Sequence, residues 1–287
     1  MNAAVYDDRP CELGEGPLWH PGLGQLFWFD IMGKRLLTRT DAGPRHWQFD
    51  EHVSAAGWVD NTTLLVASQT QLLRFDLETG ARETIAPLEA DNPVTRSNDG
   101  RADPWGGFWI GTMGIKAEPG AGAIYRYYRG ELRALHSPIS ISNAICFSPD
   151  LAFAYFTDTP TNIVMRQALD TETGWPSADA ETWLDLNPSG LVPDGAVTDA
   201  DGNVWIAHWG ASCVAAYQPD GQQITKVEVP GRHATCPAFG GGDFTALYCT
   251  SARQGIAAPI LDRSPENGMT FVVADVAKGR PEPQVIL

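Results

Sequence analysis

The stretch GEGPLWHP (14–21) carries one carboxylate, Glu15, between two glycines. A solvated surface glutamate needs no such frame, whereas glycine on both sides permits unusual dihedrals and close approach of other backbone. Three further segments, RSNDG (96–100), SNAICF (142–147) and PDGAV (193–197), set Asn or Asp at the start of a run otherwise fit for a strand. Carboxylate and amide oxygens converging from separate segments suit a hard divalent cation. Two carboxylates and one amide would leave positions for water or substrate, as a catalytic metal requires. Taken singly, each residue has a plainer reading as a turn former.

The fold must bring these segments together. Similar stretches begin at Gly16, Gly57, Gly100, Ala144, Gly195 and Ala238, so successive starts lie 41 to 51 residues apart. Each passes from a small residue through a short apolar stretch and a polar turn to a strongly apolar strand, such as LFWF (26–29) or NVWI (203–206). A period of roughly 40–50 residues with several short strands per unit is the mark of a propeller blade. No window keeps the i, i+3, i+4, i+7 apolar spacing of a helix. The expected fold is therefore all-β, a six-bladed β-propeller forming a single domain over residues 1–287. The run TFVV (270–273) is expected in the last blade, with Ala4 and Val5 pairing there to close the ring and hide sheet edges. The segment 168–193 is read as a blade edge plus a long loop.

In such a ring the residues just before the repeat starts face the central channel. They are Glu15, Ala56, Asp99, Asn143, Asp194 and Pro237. Four of the six are acidic or amide residues, the wrong chemistry for packed positions. The repeat register thus gathers the candidate ligands at the channel mouth, with Glu15 held there by a glycine turn.

Composition narrows the partners. The formal net charge of −15 repels a phosphate backbone, which argues against nucleic acid. No apolar run approaches the roughly 18 residues of a membrane helix. The N-terminus MNAAVYDDRPCELGEG lacks a basic n-region and an apolar h-region, and the five cysteines show no CxxC spacing, so reduced thiols and a cytoplasmic location are expected. There is no G-x-S-x-G elbow, no H-E-x-x-H and no P-loop. The six histidines show no ligand spacing; His208, in WIAHWG, is read either as lying near the channel mouth or as structural. Trp19 and Trp209 are read either as walls of a sugar pocket or as interblade core.

The segments LGEGPLW (13–19), RSNDGRADPWGGFWIGTM (96–113), ISNAICFSPD with the following YFTDT (141–159), and PDGAVTDADGNVWIAHWG (193–210) resemble the SMP-30/gluconolactonase/LRE-like family, which includes regucalcin and bacterial sugar lactonases. N-D-G followed by G-x-x-W-x-G-T-M is not a generic propeller pattern. The resemblance implies a six-bladed propeller with one divalent metal, Ca, Zn, Mg, Mn or Fe(II), held by Glu15, Asn143 and Asp194. These are three of the positions that the repeat register selects. It further implies that Arg96 and Asn98 bind substrate, that Asp194 is the catalytic acid/base, and that the substrate is a small sugar lactone opened to an aldonic acid.

One position departs from the family. Some relatives carry an acidic residue three positions after G-T-M; here it is Lys116, with Glu118 nearby. Lys116 is read either as a solvated loop cation or, with Arg96, as a site for an anionic substituent at C6 of the sugar acid. Two alternatives to a sugar lactonase stand beside this reading. One is a phosphotriesterase- or paraoxonase-like hydrolase on the same scaffold. The other is a non-catalytic calcium-binding or protein-docking propeller.

Overall fold

The computed structural model describes residues 3–287. Its strands form six four-stranded antiparallel sheets, the blades of a six-bladed propeller. The innermost strands are Gly14–His20, Val53–Asp60, Thr95–Ala102, Ser142–Phe147, Pro193–Thr198 and His233–Gly240, and each touches the next around a ring. Every repeat start found in the sequence lies inside one of these strands. Among the described residues the only helical pieces are Thr159–Thr161 and Ala258–Leu261, and no helix is long and apolar enough to cross a membrane.

The ring closes as expected. Ala4–Asp7 forms the outer strand of the sixth blade, with Ala4 opposite Val272 and Val5 opposite Phe271. The two ends of the chain thus complete one sheet, and the seam is a row of backbone hydrogen bonds.

The core lies between blades. Phe27, Phe29 and Leu36 of the first blade pack on Leu64, Val66 and Phe75 of the second, and similar clusters fill the other five junctions. Strands covered on both faces need apolar residues at successive positions, which explains runs such as LFWF. Trp19 belongs to this core: it stacks on Tyr248 at 5.3 Å between the sixth and first blades. All five cysteines are buried and unpaired. In the long loop of the fourth blade, Trp175 lies 4.5 Å from the Arg126 guanidinium, which is itself paired with Asp103. A cation anchored in blade three, set against the aromatic face of Trp175, fixes a loop that has little apolar surface of its own.

A repeated irregularity shapes the channel. Five inner strands skip two residues in pairing with their neighbour: Gly16–Pro17, Asn98–Asp99, Ala144–Ile145, Asp194–Gly195 and Thr235–Cys236. Such bulges re-aim side chains and free backbone groups from the ladder. They sit near the start of the inner strands, at one end of the channel.

The opposite end is crossed by the C-terminal tail. Gly279 N–H donates to Phe244 O (2.8 Å), Arg280 to Phe147 O (2.9 Å), Trp58 Nε1 to Glu282 O (2.7 Å) and Ile286 N–H to Gly106 O (2.9 Å). These contacts touch the sixth, fourth, second and third blades in turn. Val285 fills the space beside Gly57, where a Cβ would lie 2.4 Å from its methyl group.

Candidate active site and metal centre

A cavity of about 470 Å³ opens at the end where the inner strands begin. Glu15, Arg96, Asn98, Lys116, Asn143 and Asp194 all line it, so these six expected site residues meet in one place. Its remaining wall is largely apolar and includes Leu13, Met113, Ile115, Ile141, Val192 and Trp209.

Glu15 is the second residue of its strand, so the glycine frame is a strand bulge rather than the expected turn. Gly16 has φ 53°, and a Cβ there would lie 2.2 Å from Ser54 O, so only glycine fits. The Glu15 carboxylate accepts the Gly16 N–H at 2.9 Å. The Asp194 carboxylate lies beside it in the same cavity wall. Both groups are buried, 4% and 5% exposed, and neither makes an ion pair with a protein cation among the described residues. Burial, then the negative charge of Asp99, pushes Glu15 up to about 8. Burial and the charge of Glu15 hold Asp194 well above the usual carboxylate range.

The amides are fixed by a chain of hydrogen bonds. Arg96 Nη1 donates to Asn98 Oδ1 (2.8 Å) and to Ser97 O (2.8 Å). Asn98 Nδ2 donates to Ser142 O (2.9 Å) and Asn143 Oδ1 (3.1 Å). Asn143 Nδ2 donates to Thr159 Oγ1 (2.9 Å), and Thr159 donates in turn to Pro193 O (3.0 Å), beside Asp194. Asn143 therefore presents its oxygen, not its nitrogen, toward Asn98. Arg96 is 4% exposed and its Nε has no partner. Burial brings its pKa down to about 10, and Glu15 opposes that shift. A guanidinium in a cavity wall is a donor for an anionic or carbonyl oxygen.

One expectation changes. The repeat register put Asp99 at the channel mouth, but Asn98 lines the cavity, and Asp99 turns to accept the Ile145 N–H at 2.7 Å. The bulge releases both residues at once, so a count from the strand start slips by one. Glu118 does not line the cavity; its carboxylate accepts the Lys116 N–H at 3.0 Å and closes the loop after Gly114. Lys116 is exposed at the rim, and its ammonium makes no ion pair among the described residues.

Of the aromatic and histidine candidates, Trp209 reaches the cavity and is backed by His233 at 4.1 Å, whereas His208 is buried with its Nε2 on the Tyr217 hydroxyl at 2.9 Å. Sequence reasoning missed Thr159, which lines the cavity and links Asn143 to the strand carrying Asp194. Its one signal was the polar TDT (157–159) that ends an apolar strand.

The donor set fits a divalent cation on structural grounds. Two buried carboxylates lie together without an ion-paired cation, and an asparagine whose amide is fixed by hydrogen bonds lines the same cavity. All are oxygen donors, the kind that Ca²⁺, Mg²⁺ and Mn²⁺ prefer.

Known proteins place the chain. The family profile described as "SMP-30/Gluconolactonase/LRE-like region" matches residues 13–253. A 6-deoxy-6-sulfogluconolactonase of Pseudomonas putida is 33% identical, over 96% of this chain and 95% of its own length. An L-arabinolactonase of Azospirillum brasilense is 35% identical, over 94% of this chain and 91% of its own length. The crystal structure of a calcium-binding protein, regucalcin, from Agrobacterium tumefaciens superposes with TM-score 0.97 at 41% identity, covering 100% of this chain and 98% of that one. The chain belongs to the SMP-30/gluconolactonase/LRE-like family.

Proposed function

We propose that this protein is a metal-dependent sugar lactonase that opens an aldonolactone to the aldonic acid, and that its substrate carries an anionic group at C6. Lactonases are carboxylic-ester hydrolases, and the chain is an enzyme of that class. The observation that carries the reading is the meeting of Glu15, Asn143 and Asp194 in one cavity with Arg96 and Asn98.

Glu15, Asn143 and Asp194 would hold the divalent ion. When bound, such an ion supplies positive charge that polarises the lactone carbonyl and favours deprotonation of water. Arg96 and Asn98 hold the lactone in a reactive pose, which removes much of the entropic cost of the encounter. Asp194 takes the proton from the attacking water and returns it to the ring oxygen as the C–O bond breaks. The apolar wall, with Trp209 backed by His233, covers the C–H face of the sugar ring and excludes bulk water. Lys116 at the rim meets the substituent at the far end of the substrate. The sulfonated substrate in the name of the Pseudomonas relative is in keeping with that role.

The test is proton release on a panel of lactones by chelated enzyme and by enzyme resupplied with single metals. Metal-dependent turnover of C6-anionic aldonolactones is the expected result. Faster turnover of neutral aldonolactones would remove the anionic group from the proposal. Preference for a lipophilic lactone or an aryl phosphotriester, which the apolar wall could also seat, would favour the paraoxonase-like reading. Metal binding without turnover of any of them would favour the binding propeller.

A further inference from the structure

Beneath the cavity lies a second group of buried charges that the reaction above does not use. Arg101 and Glu282 are 8% and 7% exposed and form an ion pair between the inner strand of blade three and the C-terminal tail. The same guanidinium donates Nε to Ile145 O (3.2 Å) and Nη2 to Ala196 O (3.0 Å) and Pro237 O (3.5 Å). One side chain thus gathers carbonyls from the inner strands of blades four, five and six.

Two of those strands carry proposed ligands. Ile145 lies two residues after Asn143, and Ala196 two residues after Asp194. Their bulges leave Ala144–Ile145 and Asp194–Gly195 out of the ladder. Backbone groups freed in this way must find other partners, because an orphaned buried N–H or C=O is costly. Asp99 takes the Ile145 N–H at 2.7 Å, and Arg101 takes the Ile145 carbonyl. One peptide segment beside Asn143 is therefore gripped by an Asp and an Arg of the neighbouring strand, and Arg101 extends the grip to the strand of Asp194.

We infer that Arg101, Asp99 and Glu282 form a positioning unit that sets the ligand-bearing bulges, so that the C-terminal tail helps to shape the metal centre. The tail lies beyond residues 13–253, the part matched by the family profile. Glu282 has a clear electrostatic task. A buried guanidinium without its carboxylate is strongly destabilising, and it would draw Asp99 off the Ile145 N–H to recover a partner. The inference rests on the metal reading of Glu15, Asn143 and Asp194.

The test is Mn²⁺ affinity, read by electron paramagnetic resonance on the full chain, with circular dichroism and thermal melts alongside. Glu282→Gln is expected to lose affinity roughly 10- to 100-fold while keeping the native spectrum, the range for altered partners of metal ligands. Arg101→Lys is expected to behave alike, since one ammonium cannot serve three carbonyls and a carboxylate in a planar fork. The paired change Arg101→Met with Glu282→Leu guards against misfolding, because replacing both members of a buried pair is often tolerated; it too is expected to lose affinity. Val285→Ala loosens the tail elsewhere and is expected to lower the melting temperature with wild-type affinity. Wild-type affinity in Glu282→Gln or in the paired variant overturns the inference. So does a loss in Val285→Ala equal to that in Glu282→Gln, which would make the tail a matter of global stability. Failure of the wild type to bind Mn²⁺ overturns the metal reading itself, and this inference with it.

Discussion

Thr159 accepts a hydrogen bond from Asn143 Nδ2 at 2.9 Å and gives its own proton to Pro193 O at 3.0 Å. A single hydroxyl thus orients one proposed ligand and tethers the strand that presents another. Thr159→Val keeps the shape and removes the hydroxyl, freeing the Asn143 amide to flip. Mn²⁺ affinity should fall about tenfold, the lower end for such partners. Thr159→Ser should restore it. Equal titrations of Thr159→Val and wild type would mean that the amide is held by other contacts.

Asp194 is given two tasks, ligand and proton carrier. Asp194→Asn retains an oxygen donor but has no basic carboxylate. It should still bind metal, more weakly, and lose lactone hydrolysis by about 10²-fold or more, the lower range for removing a general base. Single-turnover proton release with metal in excess separates the two effects. Full activity in this variant would move the base elsewhere.

Metal removal should make stability depend on pH in a defined window. Glu15 is raised from 4.5 to about 8, chiefly by burial, and Asp194 shifts in the same direction. The fold therefore binds protons that the unfolded chain releases. The stability this confers is complete below 4.5 and is lost as pH rises through about 8. His136 and His208, lowered to about 4 by burial, act oppositely, but only as pH falls below 6.5. Between 6.5 and about 8 the melting temperature of chelated protein should fall with rising pH, and saturating metal should flatten the curve. A flat curve for chelated protein would show that the two carboxylates are already ionised.

Lys116 offers a test of substrate charge. Lys116→Ala should lower kcat/KM about fivefold for C6-anionic lactones, the ~1 kcal/mol scale of an exposed ion pair, and leave neutral lactones unchanged. The loss should shrink at high salt. Equal values for both substrate groups would return Lys116 to the role of a solvated loop cation.

Gly16 links fold and site. Gly16→Ala puts a methyl group 2.2 Å from Ser54 O at φ 53°. Destabilisation by about 2 kcal/mol or more is expected from the left-handed backbone and the clash. Thermal melts with and without metal would measure it, and the metal-induced rise should shrink because Glu15 is displaced.

The blades were legible because strands buried on both faces leave continuous apolar runs, and six such runs at a regular period admit few other arrangements. The three proposed ligands were legible for the opposite reason: Glu15, Asn143 and Asp194 break that apolar pattern. The choice between Asn98 and Asp99 was not, because a bulge changes which of two adjacent residues turns inward and leaves no mark in composition. Thr159 was hidden by the ordinariness of a threonine in a turn. The tail, GRPEPQVIL (279–287), has no strand periodicity, and it binds largely through backbone groups whose partners no residue type announces.

The placement of that tail has a kinetic consequence. With one end of the channel crossed by residues 279–287, the mouth is both entrance and exit. The hydroxy acid formed on ring opening must leave by the door the next lactone uses, so the two compete for one berth. Product inhibition should be competitive, and release of the newly charged acid should be helped by the −15 net charge of the protein around it.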